Sequence, residues 1–220
     1  MSIKQNLLEI KSELPVNVTL VAVSKTKPVA ELMEAYHAGQ RIFGENKIQE
    51  MANKFEQMPK DIEWHMIGHV QTNKVKFMAP FVSLVHGVDS LKLLEEIDKQ
   101  AQKNNRMIDC LLQMHIAEEE TKFGLDETEL FEILQSETFK NLKNIRVKGL
   151  MGMATFTEDE SQIKKEFTVL KSLFDKVNSL SIINYSLSII SMGMSGDYRI
   201  AIDCGSTMVR IGSSIFGGRI

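Results

Sequence analysis

Lys25 stands two residues past the apolar run Val21-Ala22-Val23. A lysine at the end of an apolar strand can point into a sheltered mouth, where desolvation lowers its pKa and exposes a nucleophilic amine. Most loop lysines are instead solvated, and Lys27 is expected to be one. Two later stretches, Ser191-Met192-Gly193-Met194-Ser195-Gly196 and Gly212-Ser213-Ser214, combine glycine with serine. Glycine lets backbone N–H groups approach a ligand closely, and serine adds a hydroxyl donor. Either stretch alone reads as an ordinary turn; together they suggest a cup for an anion. Arg210 lies inside the run Thr207-Met208-Val209-Arg210-Ile211. Strand alternation puts Met208, Arg210 and Gly212 on one face. If that face is interior, Arg210 is a buried charge that needs partners; otherwise it is a rim arginine or half of a structural salt bridge.

Short β-branched runs alternate with longer helical patterns along the chain. Strands are expected at Thr19–Val23, Arg41–Phe43, Glu63–Ile67, Leu84–His86, Met107–Met114, Arg146–Leu150, Leu187–Ile190 and Met208–Ile211. Helical stretches run from Pro28 to Ala38, closed by Gly39, from Ser90 to Asn104, and from Glu158 to Val177. Pro near the start and Gly just past the end suit the first of these. Leu91, Leu94, Ile97 and Ala101 share a face of the second, and Phe167, Leu170 and Phe174 a face of the third. Strand–helix alternation repeated eight times predicts a single-domain (β/α)8 TIM barrel over residues 1–220, with an extra N-terminal helix. A doubly wound open sheet is the alternative. That fold usually carries a glycine-rich turn after its first strand, whereas here Ser24-Lys25-Thr26-Lys27-Pro28 follows.

Composition bounds the function. The 220 residues are 43% hydrophobic and 25% charged with net charge −3, which favours neither a nucleic-acid nor an anionic-membrane partner. Cys110 and Cys204 form no CxxC pattern, so a reducing cytoplasm and no metal or redox site are expected. The N-terminus MSIKQNLLEIKSEL is amphipathic and charged throughout, unlike a signal peptide or a membrane span.

In a barrel of this type the chemistry sits at the C-terminal ends of the strands, with a phosphate site after strands seven and eight. Lys25, Gly44-Glu45-Asn46, Gly68-His69, His86, His115, Met151, Ser195 and Gly212-Ser213 fall at or just past successive strand ends, and His65 lies within the third strand. An amine and a phosphate cup in one mouth are what pyridoxal 5′-phosphate (PLP) held as a Schiff base requires.

Seven segments carry a resemblance over nearly the whole chain: AVSKTKP (Ala22–Pro28), FGEN with Gln49-Glu50, WHMIGHVQTNK (Trp64–Lys74), TKFGL (Thr121–Leu125), RVKGLMGM (Arg146–Met153), SMGMSGD (Ser191–Asp197) and GSTMVRIGSSIFGGR (Gly205–Arg219). The chain resembles the pyridoxal phosphate homeostasis proteins, a group related to the N-terminal barrel domain of alanine racemase. The resemblance implies PLP as cofactor, Lys25 as its Schiff-base lysine, and Ser195, Gly212 and Ser213 in the phosphate cup. It further implies Arg210 beside the pyridine nitrogen and Asn46, His65 and Met151 as walls around the ring. His115 stands where relatives often have asparagine, and Ser213 where threonine is common. Tyr198-Arg199 lies in a loop that could alter the mouth.

A guanidinium cannot accept a proton at physiological pH, so an arginine partner leaves the ring nitrogen unprotonated and the ring a weaker electron sink. Racemisation also needs a proton donor opposite the lysine. In alanine racemase a tyrosine from a second domain of the partner subunit provides it, and here the sequence stops just after the eighth strand. Tyr198, near the cup, is the remaining tyrosine candidate, and His65, His69 and His86 are candidate bases or hydrogen-bonded wall residues. The leading expectation is therefore a cytoplasmic, non-catalytic, monomeric PLP carrier without metal, which buffers the cofactor or delivers it to PLP-dependent apo-enzymes. A low-rate amino-acid racemase is the first alternative. A barrel enzyme that forms a Lys25 Schiff base with a phosphorylated metabolite is the second.

Overall fold

The computed structural model describes residues 2–118, 123–180 and 182–218. Thr121 and Lys122 of the TKFGL segment, and Arg219 with Ile220, lie outside the described residues. Helix α1 (Ile3–Glu13) precedes strand β1 (Thr19–Val23). There follow α2 (Val29–His37), β2 (Ile42–Glu45), α3 (Ile48–Gln57), β3 (Glu63–Met66), a 3-10 turn (Thr72–Lys74), α4 (Val75–Met78) and β4 (Val82–Val88). Next come α5 (Leu91–Lys103), β5 (Ile108–Gln113), α6 (Glu127–Gln135), α7 (Glu137–Asn141), β6 (Ile145–Met151) and α8 (Glu160–Leu180). The chain finishes with β7 (Ile189–Ser191), α9 (Tyr198–Asp203), β8 (Met208–Ile211) and α10 (Ser213–Phe216). The eight strands are parallel and close in chain order, β8 returning to β1 through Leu20↔Val209 and Val21↔Arg210. The expected (β/α)8 barrel is the fold.

Local chemistry starts and stops the helices. Ser2 and Gln5 form a capping box on α1: the Gln5 N–H donates to Ser2 Oγ and the Ser2 N–H to Gln5 Oε1. Asp126 and Glu129 do the same on α6. Gly39, at φ +90°, carries the chain out of α2 in a conformation that L-residues rarely adopt. The extra helix α1 lies outside the repeat, as expected, and is tied to the end of the chain where Asn6 Nδ2 donates to Ile215 O at 3.0 Å.

Two apolar layers result from strand alternation. Outward-facing residues such as Phe43, Trp64, Cys110 and Val147 pack under the helices, against Leu32, Met51, Ile97 and Phe167 among others. Inward-facing Val21, Leu84, Leu111, Met151 and Met208 fill the barrel. Filling the interior closes the barrel as a core rather than a pore, so ligand access is confined to its ends.

Strands β2 and β4 each run two residues further at their C-terminal ends than the sequence indicates. β2 continues through Gly44 and Glu45, residues of low strand propensity, because the Glu45 carboxylate is paired inside the fold with Lys54 at 2.7 Å. β4 runs to Val88, which puts His86 within the strand and fully buried rather than at its end.

Candidate functional site

A cavity of about 440 Å³ opens at the C-terminal end of the barrel, within the range of small-molecule sites. Six of the residues singled out from sequence line it: Lys25, Asn46, Ser195, Arg210, Gly212 and Ser213. His65 and Met151 do not. They are buried beneath it, Met151 among the inward-facing apolar residues and His65 against His86. Both side chains end in the filled interior rather than at the mouth, His65 from within β3 and Met151 from the last position of β6.

The loops after β7 and β8 converge on one side. The hydroxyl oxygen of Ser195 accepts from Gly212 N at 3.3 Å and from Ser214 N at 3.5 Å. Two backbone donors and a serine hydroxyl thus meet at one point. Gly193, at φ +97°, could not carry a side chain: an added Cβ would meet the Ala201 Cβ at 2.7 Å. At Gly212 an added Cβ would lie 3.0 Å from Val23 O, so glycine lets the end of β8 come close to the end of β1. Asp197 is also in the lining and accepts from Met194 N at 2.5 Å, which directs one carboxylate oxygen into the loop backbone.

Arg210 points into the barrel from β8 and is buried. Nη1 donates to Ser191 O at 2.8 Å and to Ser191 Oγ at 2.6 Å, and Nη2 to Gly152 O at 3.0 Å. These neutral oxygens take three of the five guanidinium donors. Burial holds its pKa down to about 10, against a smaller opposing pull from Asp197, so it stays cationic at neutral pH. Neither the rim position nor the structural salt bridge describes it.

Behind Arg210 runs a buried polar chain. His86 Nδ1 lies 3.0 Å from Ser191 Oγ, and His86 Nε2 lies 3.0 Å from His65 Nδ1. His69 is separate: half out in solvent, it pairs with Asp89 at 3.2 Å and stacks on Phe123. The histidine set expected at the mouth is therefore split, with His65 and His86 inside the barrel.

Lys27 is not a solvated loop lysine. Its Nζ donates to Phe216 O at 2.8 Å and pairs with Glu31 at 3.6 Å, tying the loop after β1 to the chain beyond β8. The tyrosines point elsewhere. Tyr198 is buried, lies outside the cavity lining and donates to Glu13 of α1 at 2.5 Å. Burial and that bond push its hydroxyl up to about 12. Tyr36 donates to Asp61, and Tyr185 accepts from Val147 N. Tyr198→Phe is accordingly expected to lower stability by about 1 kcal/mol, the worth of one hydrogen bond, and to leave ligand binding in the cavity unchanged. Chemical denaturation and a binding titration on the same variant measure both.

Several supporting residues carry little signal in the sequence. Ser191 hides in a glycine-serine stretch, and Lys54 reads as one half of an exposed i,i+4 pair with Glu50. Glu166 reads as a surface position of α8, yet it is buried and accepts from Thr155 N at 2.6 Å and Thr155 Oγ1 at 2.7 Å, bracing a cavity wall. Among the described residues no group of three His, Cys, Asp or Glu side chains could hold a metal ion, and no helix is long and apolar enough to cross a membrane.

A closed parallel barrel with a lysine, a buried guanidinium and a cup of N–H and O–H donors at one mouth defines a barrel-type ligand-binding protein. Comparison with known proteins makes this particular. The model of the alanine racemase N-terminal domain family matches residues 1–220. The pyridoxal phosphate homeostasis protein of Aquifex aeolicus is 39% identical over 201 residues, 91% of this chain and 86% of that protein. Its namesake in Pasteurella multocida is 36% identical over 232 residues, 100% of this chain and 98% of that protein. PipY of Synechococcus elongatus, solved with PLP bound, is 32% identical with a TM-score of 0.90 over 98% of this chain and 100% of PipY. The chain belongs to the alanine racemase N-terminal domain family and, within it, to the pyridoxal phosphate homeostasis proteins.

Proposed function

We propose that this protein binds PLP, held covalently as a Schiff base on Lys25, and serves intracellular PLP homeostasis by buffering or delivering the cofactor rather than by catalysis. The observation that carries the reading is that Lys25, Arg210 and the Ser195–Gly212–Ser213 cup line one cavity. The donor set suits the ligand. Converging N–H and O–H groups with no Cβ at Gly212 to crowd them match a phosphate, and a guanidinium donor matches an unprotonated pyridine nitrogen. Lys25 supplies the amine, whose condensation with an aldehyde forms C=N and releases one water. When bound, PLP offers an aldehyde for exchange and a ring that can delocalise a carbanion.

This chain's own residues favour holding over turnover. Arg210 can donate to the ring nitrogen but cannot protonate it, which limits the electron sink. Asn46 lines the same cavity as Lys25 and would offer the ring an amide, while His65 and Met151 would support the site from the barrel interior. Tyr198 is engaged with α1 and lies outside the cavity lining, so it is not placed to act as a proton donor opposite the lysine. The partners on this reading are PLP and PLP-dependent apo-enzymes in the cytoplasm, with a monomer sufficient for binding.

The test is spectral. Purified protein given PLP develops visible absorbance, and borohydride reduction followed by peptide mapping places the label on Lys25. Lys25→Ala abolishes the label. An unchanged spectrum, or a label on another lysine, would sink the reading. Exchange of the α-proton of alanine into deuterated water at a catalytic rate would replace the carrier with a racemase.

A further inference from the structure

The loop that carries Lys25 is held from beneath by a buried charged cluster. Lys54, on α3, is only 5% exposed. Its Nζ donates to Ser24 O at 2.8 Å, to Glu45 Oε1 at 2.7 Å and to Glu50 Oε1 at 2.7 Å. Each carboxylate then reaches the same loop. Ser24 Oγ donates to Glu45 Oε1 at 2.5 Å, and Thr26 N donates to Glu50 Oε1 at 2.6 Å. The cluster therefore grips the residue before Lys25 and the residue after it. Thr26 is bound in the left-handed region at φ +64°, one of two non-glycine residues there among those described. An L-residue with a branched Cβ adopts that conformation only when its surroundings impose it.

Burying an ammonium is costly unless it is paired and hydrogen-bonded. Nothing in the barrel's closure demands this one: β1 and β2 are joined by their own ladder at Ala22↔Phe43 and Val23↔Gly44. The cluster is also incompletely satisfied, since Glu45 Oε2 is buried without a hydrogen-bond partner, and burial pushes the Glu45 carboxyl upward despite Lys54. Such an arrangement suits a device that fixes one loop better than it suits stabilisation in general.

We propose that Lys54 is a positioning residue for Lys25, setting the backbone on both sides of it through Ser24, Glu45 and Glu50 so that the Lys25 amine is presented to an aldehyde in the cavity. The inference rests on the PLP reading above. It separates two steps that share one cavity: capture of the phosphate in the cup, which lies on β7 and β8, and covalent attachment at Lys25, which depends on the loop after β1.

The experiment measures both steps on the full chain. Borohydride trapping of PLP gives the rate of attachment at Lys25. Pyridoxine 5′-phosphate, which has an alcohol in place of the aldehyde, gives affinity without condensation. Lys54→Met is expected to slow trapping by about tenfold to a hundredfold, the scale of a misplaced reacting group, with pyridoxine 5′-phosphate affinity unchanged. Glu50→Ala, at a partly exposed side chain, frees Thr26 N and is expected to act in the same direction; it decides the matter if Lys54→Met does not fold. Lys54→Arg restores part of the rate. Equal loss of trapping and of affinity, or no change in either, would overturn the proposal. A wild-type protein that traps nothing at Lys25 while binding pyridoxine 5′-phosphate would fail the Schiff-base reading itself, a result distinct from failure of the variants alone.

Discussion

Lowering the pH of the ligand-free protein from 7.5 to 5 is expected to remove about 2 kcal/mol of stability through His65, with His86 adding to the loss in the same direction. Arg210 donates to Ser191 Oγ, so the serine directs its own hydrogen to His86 Nδ1. His86 is then the Nε2–H tautomer and donates to His65 Nδ1. Each ring is neutral in this chain, and a proton added to either would face a cation-directed neighbour. Burial holds His65 down to about 3 from 6.5. Burial, then repulsion from a proton on His65 and from the Arg210 cation, hold His86 well below 6.5. Unfolded, both would titrate near 6.5. Below that pH the unfolded state binds protons that the folded state does not, so stability falls as pH falls through 6.5 toward the folded values. The window lies above the range of ordinary carboxylates; Glu45, pushed upward by burial, acts with the opposite sign, so the histidine variant is what assigns the slope. Urea unfolding at pH 7.5, 6 and 5 measures the slope, and a double His65→Gln, His86→Gln variant should lose most of it. A variant slope equal to the wild-type slope would show that other groups carry the acid sensitivity. A loss of about 2 kcal/mol or more is a large share of a domain's 5–15 kcal/mol.

The barrel was legible because its signal is periodic. Eight apolar runs spaced by amphipathic stretches leave few alternatives, and β1 and β8 fall where alternation puts them. That the loops after β7 and β8 line one cavity was legible for a related reason: glycine and serine recur at the two strand ends where such barrels commonly place an anion site. What the sequence does not convey is which polar residues turn inward. Glu45 and Lys54 look like solvated charges, one after a glycine and one on a helix, and only the closing of β2 against α3 makes them a buried pair. His86 looks like a strand end because Gly87 follows it. The strand continues through Gly87 because an added Cβ there would lie 2.5 Å from Gly68 O, a close approach of two backbones that no local pattern announces. Lys27 and Tyr198 fail for the same reason. Their partners, Phe216 O and Glu13, are separated from them by most of the chain.

Arg210→Met is expected to separate ligand binding from stability. The guanidinium is buried, and its hydrogen-bond acceptors in the barrel are carbonyl and hydroxyl oxygens rather than a carboxylate. A cation so placed gives back little of its desolvation cost, and an apolar side chain of similar length is often neutral or stabilising in such a position. The groups left behind are partly provided for: Ser191 Oγ keeps His86 Nδ1, and Ser191 O still accepts from Gly152 N at 3.1 Å. Ligand-free Arg210→Met should therefore unfold at the same urea concentration as the wild type or a higher one. Its affinity for PLP should fall by about tenfold to a hundredfold, corresponding to one charge-assisted hydrogen bond of about 1.5–3 kcal/mol. Lys25 and the cup are untouched, so borohydride should still place the label on Lys25 at saturating PLP. A ligand-free variant less stable by more than about 2 kcal/mol, the cost of exposing unpaired buried groups, with PLP affinity intact, would make Arg210 a structural strut. The expected result would instead identify a charge kept in the barrel, at a cost to the fold, for what it does in the cavity.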